Sequence, residues 1–436
     1  MRAAPTPTLV AALASLRSGT QSSETLTRAY LDRIAATDAN VQAWAHLDRE
    51  HALAVARALD VRRNAGAETG PLAGIGIGVK DIIATSDQPT QLGSPIFAGA
   101  QPAVDAQCIT RLKQAGGFAL GKTVTTEFAF MQPGKTRNPW NAAHTPGGSS
   151  SGSAAAVALG QVCAALGTQT NGSVIRPAAY CGVVGFKPTR DALPYEGVAL
   201  FSSTLDTLGV FARTVADCAL LAGCLAGSDS SRAVVSPLAG APRLAWLADF
   251  PWATVSTDQR VAMEAASETL RRGGASITPV AVPDRWRDAH LIHRCIMLYE
   301  GASEWGSLQQ RERQRMSAKL NAALDEGRAI GETAYADALA QRAEAIADLT
   351  SWLAPYDAIV TPPARGSAPA ELTQTGDPLC CTLWSLLGCP AICIPAGMAP
   401  NGLPLGLQVA ARPGADDRLL AVAQWCEERI RFPGLA

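Results

Sequence analysis

The chain has 436 residues, 47% of them hydrophobic and 17% charged, and its formal net charge is −1. This much apolar material excludes a disordered chain, and the balanced charge argues against a nucleic-acid or anionic-membrane partner. No stretch approaches the ~18 uninterrupted apolar residues of a transmembrane helix, so we expect no membrane span.

The cysteines and the N-terminal segment bear on the compartment. The eleven cysteines are scattered without a framework spacing, which favours reduced cysteines over disulfides. The segment MRAAPTPTLVAALASLRSGT lacks an apolar core long enough for a secretory signal. We therefore expect a soluble, cytoplasmic protein.

The first half of the chain changes from helical to mixed patterning. Residues 8–63 predict two amphipathic helices, and Gly66 stands where a helix C-cap is expected. From about residue 70, short apolar runs such as GIGIGVKDII and AGGFALGKTVT predict buried strands between glycine and proline turns. Helical segments such as SAAAVALGQVCAAL and TVADCALLAGCLAG alternate with these strands.

The second half begins with a mainly helical region. Residues 255–350 are rich in Ala, Glu, Arg and Gln at helical spacing, and predict helices that cover one side of a sheet. The runs YDAIVTPPA and CPAICIPAG then predict short buried strands, followed by a last helix at about residues 415–430. Together the segments predict an α/β layer structure with a buried, partly parallel sheet.

Two common motifs match the sequence without their structural context. Residues 116–123, GGFALGKT, fit the phosphate-loop pattern, but the following TVTTEF is β-branched and a poor helix start. We therefore predict a strand that ends in a loop. Residues 148–152, GSSSG, fit the nucleophile elbow around Ser150, but the preceding AHTPG is no apolar strand. We interpret Ser150 as a supporting hydrogen-bonding residue.

Metal and thiol chemistry are also weakly supported. The elbow would need a downstream histidine, and the two available, His290 and His293, lie in a helical segment. Because no third histidine or flanking carboxylate accompanies them, we predict no metal site there and interpret them as surface or hydrogen-bonded residues. Cys181 would need a nearby histidine to act as a nucleophile, so we place it in the core.

Three segments carry a potential base, hydroxyl relay and nucleophile. GIGVKDI puts Lys80 at the end of an apolar strand, either as a snorkelling edge residue or as a buried lysine whose neutral form is favoured. TPGGSSSGSAAAVALG, residues 145–160, could be a flexible linker or a rigid turn that faces a ligand. GTQTNGSVIRPAA carries Ser173 in a Gly/Asn turn.

These segments resemble the amidase signature hydrolases. GVKD, GKTVTTEFA, TRNPWNAAHTPGGSSSGSAAAVALG, GTQTNGSVIRPAAYCGVVGFKPT and LDTLGVFARTVAD occur in the family's order and spacing, with Ser149 and Ser173 24 positions apart. The resemblance covers nearly the whole chain. It implies one domain over residues 1–436, with N-terminal helices at 8–63 and a mostly helical covering region at about 240–350. The implied α/β fold has a large mixed, mostly parallel twisted sheet between helices.

The resemblance also implies roles for individual residues. Lys80 matches the general base, Ser149 the relay serine on a cis peptide bond, and Ser173 the nucleophile. The implied oxyanion hole consists of the backbone amides of Thr170, Asn171, Gly172 and Ser173. A hydroxyl must lose its proton to act as a nucleophile, and burial can lower a lysine pKa towards ~7–8, where it can accept that proton.

The turn that carries Ser173 departs from the family's usual pattern. The family more often has Asp at the position of Gln169, Gly at that of Asn171 and Arg at that of Ile175, so that Arg176 is displaced by one. Ser151 stands in place of a usual Gly. These departures leave the lysine and both serines intact, and they bear on the support of the oxyanion loop and on the substrate range.

The function that we predict is cofactor-free hydrolysis of a small-molecule amide, with an acyl-enzyme on Ser173 and release of ammonia or an amine. The alternative is the glutaminase A-type subunit of a multi-subunit amidotransferase. A scaffold without catalysis is a third interpretation, against which the intact lysine and serines argue. The sequence leaves open whether the protein forms a homodimer. Candidate pocket residues, which could equally be core, are Phe130, Met131, Tyr195 and Trp384, and we single out Met131 and Trp384 as candidates for substrate binding.

Overall fold

The computed structural model describes residues 6–67, 70–227, 235–432 and 434. Within these ranges eleven strands form one sheet. The strands are β1 (Trp44–His46), β2 (Gly76–Lys80), β3 (Phe118–Thr123), β4 (Ala164–Gln169), β5 (Val184–Lys187), β6 (Thr207–Ala212), β7 (Arg243–Trp246), β8 (Ser276–Pro279), β9 (Ala358–Thr361), β10 (Ala391–Met398) and β11 (Pro404–Ala410). Their order across the sheet is β1-β3-β2-β4-β6-β5-β10-β11-β9-β7-β8.

Thirteen α-helices lie within the same described ranges, and the longest are in the second half of the chain. They are α1 (Leu9–Arg17), α2 (Ser23–Thr37), α3 (Arg49–Asn64), α4 (Gln107–Gln114), α5 (Ser151–Ala158), α6 (Ile175–Cys181), α7 (Val215–Ala226), α8 (Thr257–Arg272), α9 (Ala289–Glu312), α10 (Ala318–Ala329), α11 (Glu332–Leu353), α12 (Thr382–Leu386) and α13 (Asp416–Arg429). The limits of the predicted domain, residues 1 and 436, lie outside the described residues.

The sheet is mixed, as predicted, but parallel pairs are not its majority. The pairs β2–β3, β2–β4, β7–β8 and β7–β9 are parallel, and the other six are antiparallel. The short connection between β10 and β11 is one physical reason, because a hairpin joins only antiparallel strands. Every residue of β2, β3, β4 and β6 is buried, so both faces of the central strands are covered.

The N-terminal segment contains three helices rather than the two that the periodicity predicts. The side chain of Ser22 accepts a hydrogen bond from Thr25 N at the start of α2, and Asp48 caps α3 in the same way through His51 N. Such caps begin separate helices, because they satisfy the free N–H groups of a first turn. Gly66, at φ +76°, follows the end of α3 as predicted.

The mainly helical region is present, with two strands inside it. Helices α8 to α11 occupy most of residues 257–353, while β7 and β8 add the last two strands to one edge of the sheet. Helix α9 packs against α10, α11 and α12. The N-terminal part of α9 also reaches the loop that follows β4, where His293 Nε2 lies 3.0 Å from Thr170 O.

The phosphate-loop match is a buried strand, as predicted. Residues 118–123 form β3, and the chain after them begins no α-helix before α5. Lys122 lies inside this strand, where its Nζ donates to Ile83 O at 2.7 Å and to Thr90 Oγ1 at 2.6 Å. Burial lowers the pKa of Lys122 to about 8. This lysine is a structural hydrogen-bond donor.

All eleven cysteines are free, and Cys181 is buried with its Sγ directed at Pro146 O. Burial raises the pKa of this thiol, in agreement with a core position.

In the described ranges, no helix combines the length and the apolar character that crossing a membrane requires.

Candidate active site

Lys80 is the last residue of β2, and its side chain is completely buried. Its Nζ donates to Ser149 Oγ and to Thr168 Oγ1, each at 2.7 Å. Burial lowers the pKa of Lys80 to about 7, while the negative charge of Asp206 acts in the opposite direction. Of the two interpretations of this lysine, the structure therefore supports the buried one, with the neutral amine accessible near pH 7.

The serine-rich stretch is a packed turn and not a linker. Residues 145–157 are all buried, and the peptide bond between Gly148 and Ser149 is cis, as the resemblance implies. From Ser151 the chain continues as α5. A Cβ atom on Gly152 would lie only 2.2 Å from Ala43 O, so the helix packs too closely there for any side chain.

Ser150 connects this turn to the sheet. Its Oγ donates to Thr168 O at 3.1 Å and accepts from Thr168 N at 3.2 Å. The side chain is fully buried and does not line the cavity described below. This geometry agrees with a supporting residue.

Ser173 lies in the loop between β4 and α6 and shares a cavity with Ser149. The backbone N–H groups of Asn171, Gly172 and Ser173 donate to no acceptor within the described ranges. They are therefore free to bind an oxygen atom in the cavity, as an oxyanion hole requires. In the same ranges no hydrogen bond joins the hydroxyls of Ser149 and Ser173, a contact that often tightens only when substrate binds.

Gln169, the first departure from the family pattern, supports the start of α6. Its Oε1 accepts from Val174 N at 2.8 Å and Ile175 N at 3.0 Å. Its Nε2 donates to Ser385 Oγ at 3.0 Å. A carboxylate could accept the same two backbone bonds, but it could not donate the third.

Asn171, the second departure, is held from α12. The hydroxyl of Ser385 donates to Asn171 O at 2.5 Å, and that of Thr382 donates to Asn171 Oδ1 at 2.8 Å. Both the backbone and the side chain of this residue are thereby restrained. The C-terminal part of the chain thus helps to orient the loop before Ser173.

Asp206 and His293 support Thr170, a role that the sequence did not indicate for either residue. The hydroxyl of Thr170 donates to Asp206, whose other oxygen accepts from Phe201 N at 2.6 Å. His293 Nε2 lies 3.0 Å from Thr170 O and must donate, since a carbonyl only accepts. Burial lowers the pKa of His293 to about 4, so the ring is neutral at pH 7. Asp206 stands in the segment LDTLGVFARTVAD, but only the fold brings it to Thr170.

The shared cavity has a volume of about 60 Å³ and mainly apolar walls. Met131 and Phe130 line it, and Met131 is 46% exposed. Trp384 does not line it: the prediction for this residue is wrong, because α12 packs the whole indole into the core, at 0% exposure. Tyr195 is also outside the cavity wall. The remaining apolar walls come from Ala129, Phe201, Met297 and Pro378.

The described residues around the cavity do not form a group of metal ligands. Across the residues that the structure describes, no three His, Cys, Asp or Glu side chains are grouped so as to hold a metal ion. His293 forms a hydrogen bond with Thr170 O, and the ring of His290 stacks on Trp252 with centroids 5.5 Å apart. The polar groups of the site are an amine, hydroxyls, backbone amides and one guanidinium.

The chain is similar to a known family and to several curated proteins. A family model described as Amidase matches residues 25–420. The A-type subunit of glutamyl-tRNA(Gln) amidotransferase from Chloroflexus aggregans is 35% identical over 462 residues, covering 95% of this chain and 94% of the relative. The protein of the same description from Salinispora arenicola is also 35% identical, covering 94% and 95%.

The structure is similar to solved amidases and to one amidotransferase component. One protein, described as an amidase, has a TM-score of 0.89 at 30% identity, covering 98% of this chain and 100% of the other. Peptide amidase from Stenotrophomonas maltophilia has a TM-score of 0.84 at 29% identity, with 98% of each chain covered. The A-type subunit of glutamyl-tRNA(Gln) amidotransferase from Thermotoga maritima has a TM-score of 0.76 at 29% identity, with 93% and 91% covered.

Proposed function

This chain belongs to the amidase family, the amidase signature hydrolases, and on that premise we propose that it cleaves small carboxylic amides through an acyl-enzyme on Ser173. Membership in the family makes it an amide-hydrolysing enzyme. The observation that carries the proposed mechanism is the 2.7 Å hydrogen bond from Lys80 Nζ to Ser149 Oγ, next to Ser173 in the same cavity.

The proposed first step is formation of the nucleophile. Neutral Lys80 takes the proton of Ser149 while Ser149 takes that of Ser173, whose Oγ attacks the amide carbon. A lysine with the reference pKa of ~10.4 would need about 4–5 kcal/mol to be neutral at pH 7. With a pKa of about 7, half of the lysine is already neutral at that pH, so this cost nearly vanishes.

The second step is breakdown of the tetrahedral intermediate. The free amides of Asn171, Gly172 and Ser173 support binding of its oxyanion, and each donor of this kind contributes typically ~3–4 kcal/mol in the transition state. Ser149 returns the proton to the leaving nitrogen, and the C–N bond breaks. Water then attacks the acyl-enzyme while Ser149 and Lys80 take its proton, and that proton returns to Ser173 Oγ as the bond to the acyl group breaks and the carboxylic acid leaves.

The direct test uses the purified chain alone with a panel of primary amides that includes glutamine. We expect ammonia release, and mass spectrometry after rapid acid quenching should find the acyl group on the peptide that contains Ser173. Turnover without any adduct on that peptide would contradict the acyl-enzyme mechanism.

The glutaminase component of a multi-subunit amidotransferase is the second candidate. The curated relatives favour it, since they are described as the A-type subunit of glutamyl-tRNA(Gln) amidotransferase at 35% identity. The solved structures include both kinds of protein, with a TM-score of 0.89 for an amidase and 0.76 for the amidotransferase component, so the comparisons taken together support this second candidate better than the first. Glutamine hydrolysis that appears only when the other components of such a complex are added would select the second.

The pH dependence of activity is a further prediction. Protonated Lys80 cannot accept a proton, so kcat/KM should rise about tenfold per pH unit below about 7 and level off above it. Because the charge of Asp206 raises the pKa of Lys80, Asp206→Asn should move this midpoint to lower pH. Initial rates between pH 5 and 9 measure both, and a midpoint that moves upward in the variant would contradict the assignment.

A further inference from the structure

Two carbonyl groups in the loop before Ser173 accept hydrogen bonds from distant parts of the chain. Thr170 O accepts from His293 Nε2 at 3.0 Å, and Asn171 O accepts from the hydroxyl of Ser385 at 2.5 Å. Neither His293 nor Ser385 is among the residues that line the cavity. Both carbonyls are therefore directed at groups outside the cavity wall.

The direction of these carbonyls determines the direction of the free amides. A peptide group is planar, and in its trans form the C=O and the N–H point in opposite directions. The Thr170–Asn171 and Asn171–Gly172 peptide bonds are both trans. The bond to Thr170 O thus fixes the direction of Asn171 N–H, and the bond to Asn171 O fixes that of Gly172 N–H. These are two of the three amides that donate to no described acceptor.

The side chain of His293 is suited to hold one orientation of such a peptide group. It is 1% exposed, and burial lowers its pKa to about 4, so the ring is neutral at pH 7. A neutral imidazole has one N–H, and a carbonyl only accepts, so the hydrogen stands on Nε2. A donor on the carbonyl also polarises the peptide group, which strengthens the opposite N–H as a donor.

One face of α9 contacts both the cavity and the turn that leads to Asp206. His293, Met297 and Glu300 are spaced four and three residues apart, so they share this face. Met297 lines the cavity one turn after His293. Glu300 accepts from Thr204 N at 2.9 Å, in the turn before Asp206.

That turn also holds the side chain of Thr170. The Thr170 hydroxyl donates to Asp206, and Ser202 N donates to the same carboxylate at 3.2 Å. The hydroxyl of Ser202 in turn donates to Glu300. These contacts fix the position of Thr170, whereas the bond from His293 fixes the rotation of the peptide group that follows it.

We propose that His293 is a positioning residue of the oxyanion hole: by donating to Thr170 O, it directs the N–H of Asn171 at the oxygen of the substrate. The inference rests on the proposed function and adds a residue that does not touch the substrate. Loss of one oxyanion donor typically lowers kcat by about 100- to 1,000-fold, because the donor acts where negative charge develops. A donor that is turned away loses this effect even though its residue is still present.

A purely structural role of His293 leads to a different expectation. If the ring only satisfied a buried carbonyl, its loss would lower stability without a selective effect on the transition state. The experiments below therefore measure kcat against KM, and binding of a tetrahedral adduct against binding of a ligand that forms none.

The first test compares two amide side chains at position 293. In Gln the nitrogen can stand where Nε2 of histidine stands, whereas in Asn it stands near the place of Nδ1 and does not reach Thr170 O. We expect His293→Gln to keep kcat within about threefold of the native value and His293→Asn to lower it about 100-fold. KM should change by less than about threefold in both. Equal kcat in the two variants would overturn the proposal.

His290→Asn is the matched control. His290 is on the same helix, but its ring stacks on Trp252 and does not line the cavity. This variant should keep the native kcat. Thermal unfolding monitored by circular dichroism verifies that the variants are folded. If His293→Asn does not fold, His293→Met replaces it, since methionine fills more of the space of the ring and also lacks the donor.

The second test measures the tetrahedral state directly. The probe is a trifluoromethyl ketone with the acyl chain of the best amide substrate. Ser173 Oγ bonds to its carbonyl carbon, the hydroxyl proton passes through Ser149 to Lys80, and the ketone oxygen becomes the oxyanion. Its inhibition constant should rise about 100-fold in His293→Asn and no more than about threefold in His293→Gln.

The corresponding trifluoromethyl alcohol is the control ligand, because it forms no adduct. It should bind the native protein and both variants equally. Binding of the ketone by His293→Asn as tightly as by the native protein would contradict the positioning role, as would an equal loss of affinity for ketone and alcohol.

Crystal structures of the two variants separate this inference from the proposed function. The Thr170–Asn171 peptide group should be rotated in His293→Asn and keep the native orientation in His293→Gln. If the native protein forms neither an acyl-enzyme nor a ketone adduct, the proposed function fails, and the crystal structures decide whether His293 orients the peptide group. If the adduct forms but both variants keep the native orientation, the positioning role is wrong and the acyl-enzyme mechanism stands.

Discussion

Ser173→Ala is expected to lower kcat by about 10⁴- to 10⁶-fold, the largest effect of any substitution in this chain. The variant keeps Lys80 bonded to Ser149 and keeps the free amides of the oxyanion loop, but it has no oxygen to form the acyl-enzyme. Ammonia release measures the loss, and mass spectrometry of the quenched reaction should find no acyl group on the protein.

Ser153→Ala is the matched control for this prediction. Ser153 is also a buried serine, but its Oγ is bonded to Leu166 O at 2.8 Å and to Thr123 Oγ1 at 2.7 Å, away from the cavity. Its loss should lower the free energy of unfolding by about 1 kcal/mol. It should leave acylation intact. Full amide turnover by Ser173→Ala would mean that Ser173 is not the nucleophile.

Lys80→Met is expected to have the second largest effect, a fall in kcat of about 10³- to 10⁴-fold. The methionine fills similar space but cannot accept the proton of Ser149. The rise of kcat/KM through pH 7 should disappear together with the activity, because the group that titrates is removed. Stopped assays at high enzyme concentration between pH 5 and 9 measure both quantities.

Stability distinguishes a loss of chemistry from a loss of fold in this variant. A lysine whose pKa is lower in the folded than in the unfolded chain destabilises the fold at every pH below its unfolded pKa. For Lys80 that range includes pH 7, since burial lowers its pKa from 10.5 to about 7. Lys80→Met should therefore have a melting temperature no lower than that of the native protein.

Lys122→Met is the control for a buried lysine without a catalytic role. Its Nζ bonds to Ile83 O and Thr90 Oγ1 and lies 3.7 Å from Asp81, so its removal leaves a buried carboxylate without its cation. We expect a lower melting temperature and an unchanged pH midpoint of kcat/KM. If Lys80→Met retained that midpoint, the base would have to be another group.

One loop carries the proposed nucleophile together with the groups that surround it. The residues from the end of β4 to the first turn of α6 include Ser173, the free amides and Arg176. Gln169 and Asn171 tie this loop to α12, while His293 ties it to α9. Departures from the family pattern in this loop therefore leave the reacting groups in place and change what surrounds them.

The proposed reacting groups could be assigned from the sequence because each stands in a contiguous motif that resembles the amidase signature family. Lys80, Ser149 and Ser173 are at the ends of recognisable strands and turns, and the fold brings Ser149 into contact with Lys80 and into the cavity of Ser173. The α/β class and most of the strands followed from runs of apolar residues. Their roles in catalysis stay predictions that the variants above test.

Other features depended on contacts between distant parts of the chain. The excess of antiparallel pairs and the burial of Trp384 on α12 follow from how elements pack, which local periodicity does not encode. Asp206 and His293 approach Thr170 from a later turn and from α9, so no local pattern shows them.

The sequence by itself determined the α/β class from short-range patterns of residue type, and its contiguous motifs gave the family resemblance that implied the candidate reacting residues. Only the tertiary structure decided that Lys80 is buried, that the serine-rich stretch is packed, and that two nitrogens of Arg176 have no described partner. Burial and hydrogen-bond partners are set by residues far apart in the chain. Those long-range contacts lower the pKa of Lys80 and pack the turn of the relay serine against the sheet, and for this reason the environment of the proposed reacting groups emerged only from the fold.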